Sequence, residues 1–381
     1  MTPIEATRAL QPEVRARARE IEEARRLPAD LALTMSRTGL FRVMAPAVYG
    51  GGQASPVDYV RGVEALAEAD ASTAWCVMIA ATTALLTAYL PEAHARAMLA
   101  NPDGVTAGVF APMGRAVAEG DHWRVSGHWK WASGSQNCDW LAGGAILMED
   151  GKPLLDDAGQ PRHKMFVFRR DDVELLDNWR VAGLCGTGSV DMVAKDVLVP
   201  RDRAVGLQSD TPRIDAPQYR FPPFGLLSAT VACVALGNAR GALDAFAARA
   251  ATMGSQGSGR KQAERNVVQA EFARATASLE AARAFFYDAM EGVWQAAQTG
   301  KPSIEQRARI RLAGAHAAQV GADVTRTIYD LGGGAAVFLD DELQRRFRDG
   351  SVIPHHVMVA PAMFELTGRV LFGLPTNDAL L

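Results

Sequence analysis

The side chains best suited to chemistry fall in two short segments. The first is Trp129-Lys130-Trp131-Ala132-Ser133-Gly134-Ser135, where aromatic rings stand beside small hydroxyl residues. Such a surface suits a flat, apolar ring with polar atoms on its edge, although an ordinary aromatic strand core has the same composition. The second is Arg348-Asp349-Gly350-Ser351-Val352-Ile353-Pro354-His355-His356. An imidazole with a pKa of about 6.5 can accept a proton from a phenol or a ring N–H at neutral pH. His356 is therefore the candidate base or hydrogen-bond partner, with His355 the second choice. A single histidine before an apolar helix pattern is also what a structural histidine looks like.

Other chemistries find less support. The run Gly183-Leu184-Cys185-Gly186-Thr187-Gly188-Ser189 has the glycines of a dinucleotide loop. That loop needs a strand before it and a helix after it, whereas the residues from Val190 to Pro200 alternate like a strand. A glycine-rich turn is the better reading. Gly332 to Gly334 end a helix, so they fail the same test. No His-x-x-x-His or His-Glu-x-x-His spacing occurs, and Cys76, Cys138, Cys185 and Cys233 stand far apart. No metal site or redox dithiol is expected from them. The sequence also lacks a Gly-x-Ser-x-Gly elbow and a lysine in an apolar context. Arg345, Arg346 and Arg348 read as a solvated or ion-paired helix face.

The elements that must position these residues come in three blocks. Residues 1–103 read as a helical domain: mixed charges at helical spacing over 6–26, Ser55-Pro56 opening a helix through about Asp70, and Pro91-Glu92 opening another. Residues 104–222 read as a sheet domain. Trp123, Val125, Trp129 and Trp131 alternate with polar residues, and further strands are expected at 141–148, 164–169, 173–179 and 190–199. Residues 223–381 return to long helices, with an Ala-rich run over 262–298 and a Ser303/Gln306 capping box for the next helix.

Composition narrows the class. A chain of 381 residues has room for two or three domains at about 150 residues each. With 48% hydrophobic and 22% charged residues it is neither disordered nor fibrous. Forty basic against 43 acidic residues, a net charge of -3, argue against a nucleic-acid partner. The N-terminal segment has no apolar signal core, so a reduced, cytoplasmic protein is expected. Residues 71–91 are uncharged and long enough to span a bilayer. They are rich in Ala, Thr and Ser and flanked by Asp70 and Glu92, so they read as a central buried helix and no membrane partner is expected.

This order of blocks, with YGGG at 49–52 followed by VEALAEADASTAW, then SGHWKWASGSQNCDW, NWRVAGLCGTGSVDM with DVLVP, and YDLGGG with LQRRFRDG, resembles the acyl-CoA dehydrogenase fold over nearly the whole chain. The resemblance implies an α+β, mostly α protein: an N-terminal helical domain, a central β-barrel and a C-terminal four-helix bundle. Within that fold the chain is most similar to flavin-dependent oxygenases that receive reduced flavin from a separate reductase. These include the oxygenase components of 4-hydroxyphenylacetate hydroxylase and of steroid-ring phenol hydroxylases, and dibenzothiophene monooxygenase. The resemblance implies reduced FMN or FAD as cofactor, a flavin reductase as partner, O2 and a small aromatic or heteroaromatic substrate. It further implies a flavin C4a-hydroperoxide as oxidant and a homotetramer with flavin between barrel and bundle near a subunit interface.

Residue by residue, Ser133 matches the serine that hydrogen-bonds the flavin near N5 in these relatives. Trp131, Ala132 and the turn Ala111-Pro112 match contacts to the isoalloxazine, and Gly332 and Gly333 match the turn near its phosphate end. His356 stands where these oxygenases keep their histidine. The dehydrogenases instead need a carboxylate base at positions corresponding to Val357 or to Leu226 or Leu227, and neither place holds one. Departures remain: Asn137 replaces a histidine common among the aromatic hydroxylases, and the helix at 71–91 offers only Trp75, Cys76 and small residues in place of a ring donor. Ser255 and Asn266 replace the dehydrogenases' pyrophosphate-binding Arg and its Gln partner, with Arg260 nearby. A thioester dehydrogenase with another base, and a non-catalytic flavin-binding relative, stay as alternatives.

Overall fold

Capping residues set the N-terminal helices. Thr2 and Glu5 form a reciprocal capping box that opens α1 (Pro3–Ala24). After α2 (Ala29–Arg37), the Ser55 side chain accepts the Asp58 N–H and Pro56 supplies the first turn of α3 (Pro56–Ala67). Asp70 caps α4 (Ala71–Ala84), accepting the backbone N–H and the hydroxyl of Thr73, each at 2.7 Å. Pro91 precedes α5 (Glu92–Leu99). The computed structural model describes residues 2–254 and 260–381. Ala71–Ala88 is apolar and long enough to cross a membrane, yet 94% of it is buried, packed against α3, β1 and the first long helix of the C-terminal block. That is the central helix expected from its uncharged, small-residue composition.

The middle of the chain forms one mixed sheet. Its strands are β1 (Thr106–Glu119), β2 (His122–Ala132), β3 (Trp140–Glu149), β4 (Lys152–Pro153), β5 (His163–Arg169), β6 (Glu174–Leu176), β7 (Val190–Pro200) and β8 (Ala204–Val205). They run in the order β6-β7-β2-β1-β3-β5-β8, with β4 on β3. The central β1–β3 pair is parallel and the other pairs are antiparallel. The two end strands do not pair with each other, so the expected barrel is an open sheet. β6 and β8 have three and two residues, too few to complete a closing ladder. β1 is additional to the strands that alternation predicts, because Gly108, Pro112 and Gly114 interrupt its pattern.

Trp129 anchors the middle of this sheet. Its ring is fully buried, its Nε1–H donates to the Gly144 carbonyl at 2.6 Å, and Gly114, Gly127 and Gly143 surround it. A Cβ at any of these three glycines would come within 2.5–2.6 Å of the ring, so only glycine fits there. Trp131 behaves differently from the alternation that predicts it on the same face. The β2–β7 register shifts between Trp129 and Ala132, Trp131 takes φ +68°, and its side chain is 61% exposed.

The C-terminal block follows the short α6 (Pro217–Arg220) with α7 (Pro223–Ala250), α8 (Asn266–Thr299) and α9 (Ile304–Gly332). Ser303 and Gln306 form the capping box at the start of α9, and Gly333 ends it at φ +61°. α9 packs against α7, α8, α10 (Glu342–Val352) and α11 (Ala362–Leu371), while α7 also packs on α3 and α4. In the arginine cluster on α10, Arg346 and Arg348 are ion-paired as expected, and Arg346 is not solvated. Arg346 is 2% exposed, with Nε and NH2 donating to Glu342 Oε1 at 2.8 and 2.5 Å and NH2 to the Glu68 carbonyl at 2.7 Å. Gly241 leaves room for its guanidinium, which a Cβ there would meet at 2.3 Å.

Candidate active site

The end of β2, the start of α4 and the turn before β7 converge on Ser133. The Trp75 Nε1–H donates to Ser133 Oγ at 3.2 Å. Ser133 Oγ lies 2.6 Å from Ser189 Oγ, which lies 2.6 Å from Thr187 Oγ1, and the Thr187 hydroxyl donates to the Leu184 carbonyl at 2.8 Å. Each hydroxyl carries one proton, so the two ends fix the direction of the whole chain. Thr187 gives its proton to Leu184, Ser189 gives its own to Thr187, and Ser133 gives its own to Ser189. Towards anything bound beside it, Ser133 therefore has a lone pair to offer and no free proton.

His356 meets this chain through Trp75. The two rings are in edge contact, with centroids 5.4 Å apart and planes at 74°. The Met358 N–H donates to His356 Nδ1 at 3.3 Å, which places the proton of the neutral ring on Nε2. Burial, and then the nearby charge of Arg311, push the His356 pKa down to about 4, so the ring is neutral at physiological pH. His355 is exposed.

A second buried group holds the turn in place. Asp349 Oδ1 accepts the Leu184 N–H at 2.6 Å, tying α10 to the segment that carries Thr187 and Ser189. Burial first, and Asp70 next, raise the Asp349 pKa to about 7. Gly183 allows the approach: a Cβ there would meet the Arg348 carbonyl oxygen at 2.2 Å.

The remaining expected residues divide into two groups. Ala111 and Pro112 lie where β1 leaves its ladders between Val109 and Gly114. Ala132 is buried and Trp131 turns outward beside it, so this edge of the sheet offers an aromatic face and a bulge of exposed backbone. These residues fit a planar ring system: Trp131 holds an αL conformation that a bulky residue adopts only against strain, and its ring has no cover within the chain. Gly332 and Gly333 are elsewhere, about 30 Å along α9 from Arg311 at 1.5 Å per residue. Gly332 lies against Arg249, Ala336 and Leu343. Asn137 donates to the Leu27 carbonyl at 3.0 Å and holds a loop. Val357 is exposed and Leu226 is buried, so neither place acquires a carboxylate. Asn266 and Arg260 are exposed, and Ser255 lies outside the described residues.

Trp75, Thr187, Ser189, Asp349 and Arg311 are absent from the expected site. Arg311 had a readable signal: it heads the stripe Gly314, Ala315 and Ala318 on α9, a charge on an apolar helix face. The hydroxyl chain had none, since its members come from two segments far apart in sequence.

Comparison with known proteins accords with this geometry. Residues 4–100 match the family model for the acyl-CoA dehydrogenase N-terminal domain, and residues 229–361 match that for its C-terminal domain. Indole-3-acetate monooxygenase of Pseudomonas putida is 30% identical over 361 residues, covering 94% of this chain and 90% of that protein. The oxygenase component of the FADH(2)-dependent resorcinol hydroxylase of Rhizobium sp. strain MTP-10005 is 28% identical, covering 94% and 91%. The crystal structure of 3-HSA hydroxylase from Rhodococcus sp. RHA1 superposes with a TM-score of 0.91 at 26% identity, covering 100% of this chain and 99% of that one. The chain belongs to the acyl-CoA dehydrogenase family and, within it, to the flavin-dependent monooxygenases.

Proposed function

We propose that the protein is the oxygenase component of a two-component system that oxidises a small aromatic or heteroaromatic substrate. Its cofactor is reduced FMN or FAD supplied by a separate flavin reductase. With dioxygen, the reduced flavin supplies the two electrons that place one oxygen atom in the substrate and the other in water. The observation that carries this reading is the pairing of His356 with the Trp75–Ser133 chain where a dehydrogenase would need a carboxylate.

The chain's own residues have distinct tasks. Trp131, Ala132, Ala111 and Pro112 would hold the flavin ring. Ser133, its proton committed to Ser189, accepts a hydrogen bond, which suits the N–H of a reduced flavin better than the bare ring nitrogen of an oxidised one. His356, neutral and protonated on Nε2, donates to an oxygen or ring atom of the substrate and orients it. In this arrangement it is a hydrogen-bond partner before it is a base. In a homotetramer, Gly332 and Gly333 would reach a neighbouring copy's cofactor.

The test is turnover of an aromatic panel with enzymatically reduced FMN or FAD in air, with products read by mass. We expect a product 16 mass units heavier that requires reduced flavin and oxygen. His356→Ala should lower kcat/KM at least about tenfold. Turnover by this variant at the wild-type rate would remove His356 from the mechanism.

A further inference from the structure

Arg311 is a buried charge beside the site that the reading above leaves without a task. It sits in the second turn of α9 and is 2% exposed. Its NH1 donates to the carbonyls of Phe224 at 3.0 Å and Met358 at 3.1 Å, and NH1 and NH2 touch the thioether sulfurs of Met358 and Met363. Its Nε has no partner, and among the described residues no carboxylate pairs with it. A buried guanidinium normally has an anion beside it, because carbonyl dipoles and sulfur do not replace the hydration it lost.

Two further observations bear on what this cation faces. Met358 bridges it to His356: the Met358 N–H donates to His356 Nδ1 while the Met358 carbonyl accepts from Arg311. Ser228, one turn beyond Phe224 on α7, is fully buried with its hydroxyl also unpartnered, against Gly314, one turn beyond Arg311 on α9. Two buried donors without acceptors thus flank the same α7–α9 seam. The residues that touch Arg311 are Phe224, Met358 and Met363, none of them acidic.

We infer that Arg311 receives the carboxylate of the substrate, so that the substrate is an aryl carboxylic acid. Its ring lies by His356 and its acid side chain reaches Arg311. This rests on the oxygenase reading and names the substrate class of that site. No bond is made or broken at Arg311; its contribution is binding and orientation. The methionines around it are unbranched and adaptable, which lets the guanidinium exchange its sulfur contacts for carboxylate oxygens.

The test compares indole-3-acetate with 3-methylindole, which has the same ring and a methyl group in place of the acid arm. Binding to the full-length protein with oxidised FMN present is measured by calorimetry, for wild type, Arg311→Gln and Arg311→Lys. We expect wild type to bind the acid roughly 10- to 100-fold more tightly than the neutral compound. Arg311→Gln should bring that ratio close to one, and Arg311→Lys should restore part of it through its charge. Equal affinity of wild type for the two compounds, binding of neither, or a ratio that survives Arg311→Gln would each overturn the inference. So would a loss of FMN affinity in Arg311→Gln with the acid-to-methyl ratio intact, since the guanidinium would then serve the flavin. If Arg311→Gln fails to fold, the wild-type ratio and Arg311→Lys decide the matter. Oxygenation of neutral arenes as efficiently as acids would overturn this inference and leave the oxygenase reading standing. Absence of oxygenation of any arene would instead overturn the reading on which it rests.

Discussion

Two arginines, each 2% exposed, mark two regions with opposite electrostatic design. Arg346 on α10 meets Glu342 and the carbonyl of Glu68, and its neighbour Asp349 holds the Leu184 N–H. Arg311 on α9 meets two carbonyls and two thioethers, keeps Nε bare, and sits by a histidine held neutral. In the first region every charge serves an interior contact. In the second the charge is left for something that is not part of the chain. Burial alone does not separate a structural cation from a binding one; the partner set does.

The comparison can be broken most directly by removing each cation. Arg346→Met should lower stability in urea by about 3 kcal/mol, because it strands the Glu68 carbonyl and leaves Glu342 with only the longer contact to Arg15. Arg311→Met should cost less than about 1 kcal/mol, since relief of an unpaired buried charge offsets the loss of the hydrogen bonds to the Phe224 and Met358 carbonyls. Equal losses would remove the distinction.

Asp349 sharpens the structural side. Its pKa rises from an ordinary 3.8 to about 7 in the folded protein, so the native state binds more protons than the unfolded state between those values. Its stabilising effect is present below pH 3.8 and is lost as pH rises towards 7, at up to about 1.4 kcal/mol per pH unit. Asp349→Asn keeps an acceptor for Leu184 and abolishes the titration. Its melting temperature should gain on wild type between pH 5.5 and 7, by the equivalent of about 2 kcal/mol. A constant difference across that range would mean that Asp349 is ionised throughout.

Ser133 and Trp131 sharpen the open side with smaller effects. Ser133→Ala leaves the buried Trp75 N–H without its acceptor and should cost about 1–2 kcal/mol. It should also reduce the preference for reduced over oxidised flavin, measured by anaerobic titration of each form. Trp131→Gly relaxes a residue at φ +68° and should leave stability no more than about 0.5 kcal/mol below wild type. Its flavin affinity should fall about tenfold, as expected for a lost ring contact. A stability loss without an affinity change would make Trp131 structural.

Much of this arrangement was legible in the residues themselves. Ser55, Pro91 and Ser303 mark helix starts because a side-chain oxygen or a proline is needed there whatever the tertiary fold, whereas Asp70, read as a helix end, caps α4. The alternation of β2 is legible as far as Trp129, where pairing with both neighbours enforces it. It fails at Trp131 because a bulge, which depends on β7, reverses the direction of the side chain. β1 escapes notice since its glycines answer to Trp129 and to close backbone approach, not to a strand pattern of their own. Barrel closure is not legible either, because it depends on the lengths of two edge strands. His356 and Ser133 were expected as site residues, and the structure links them through Trp75. The proton order of the hydroxyl chain and the tautomer of His356 follow only from three-dimensional contacts.

The most direct test of the central claim is a single-turnover reaction. The protein is loaded anaerobically with reduced FMN or FAD and indole-3-acetate, then mixed with isotopically labelled dioxygen, and the product is analysed by mass. The account predicts one labelled oxygen atom in the aromatic product. Hydrogen peroxide with unmodified substrate from both flavins, together with bleaching of the oxidised flavin by an acyl-CoA thioester, would contradict it.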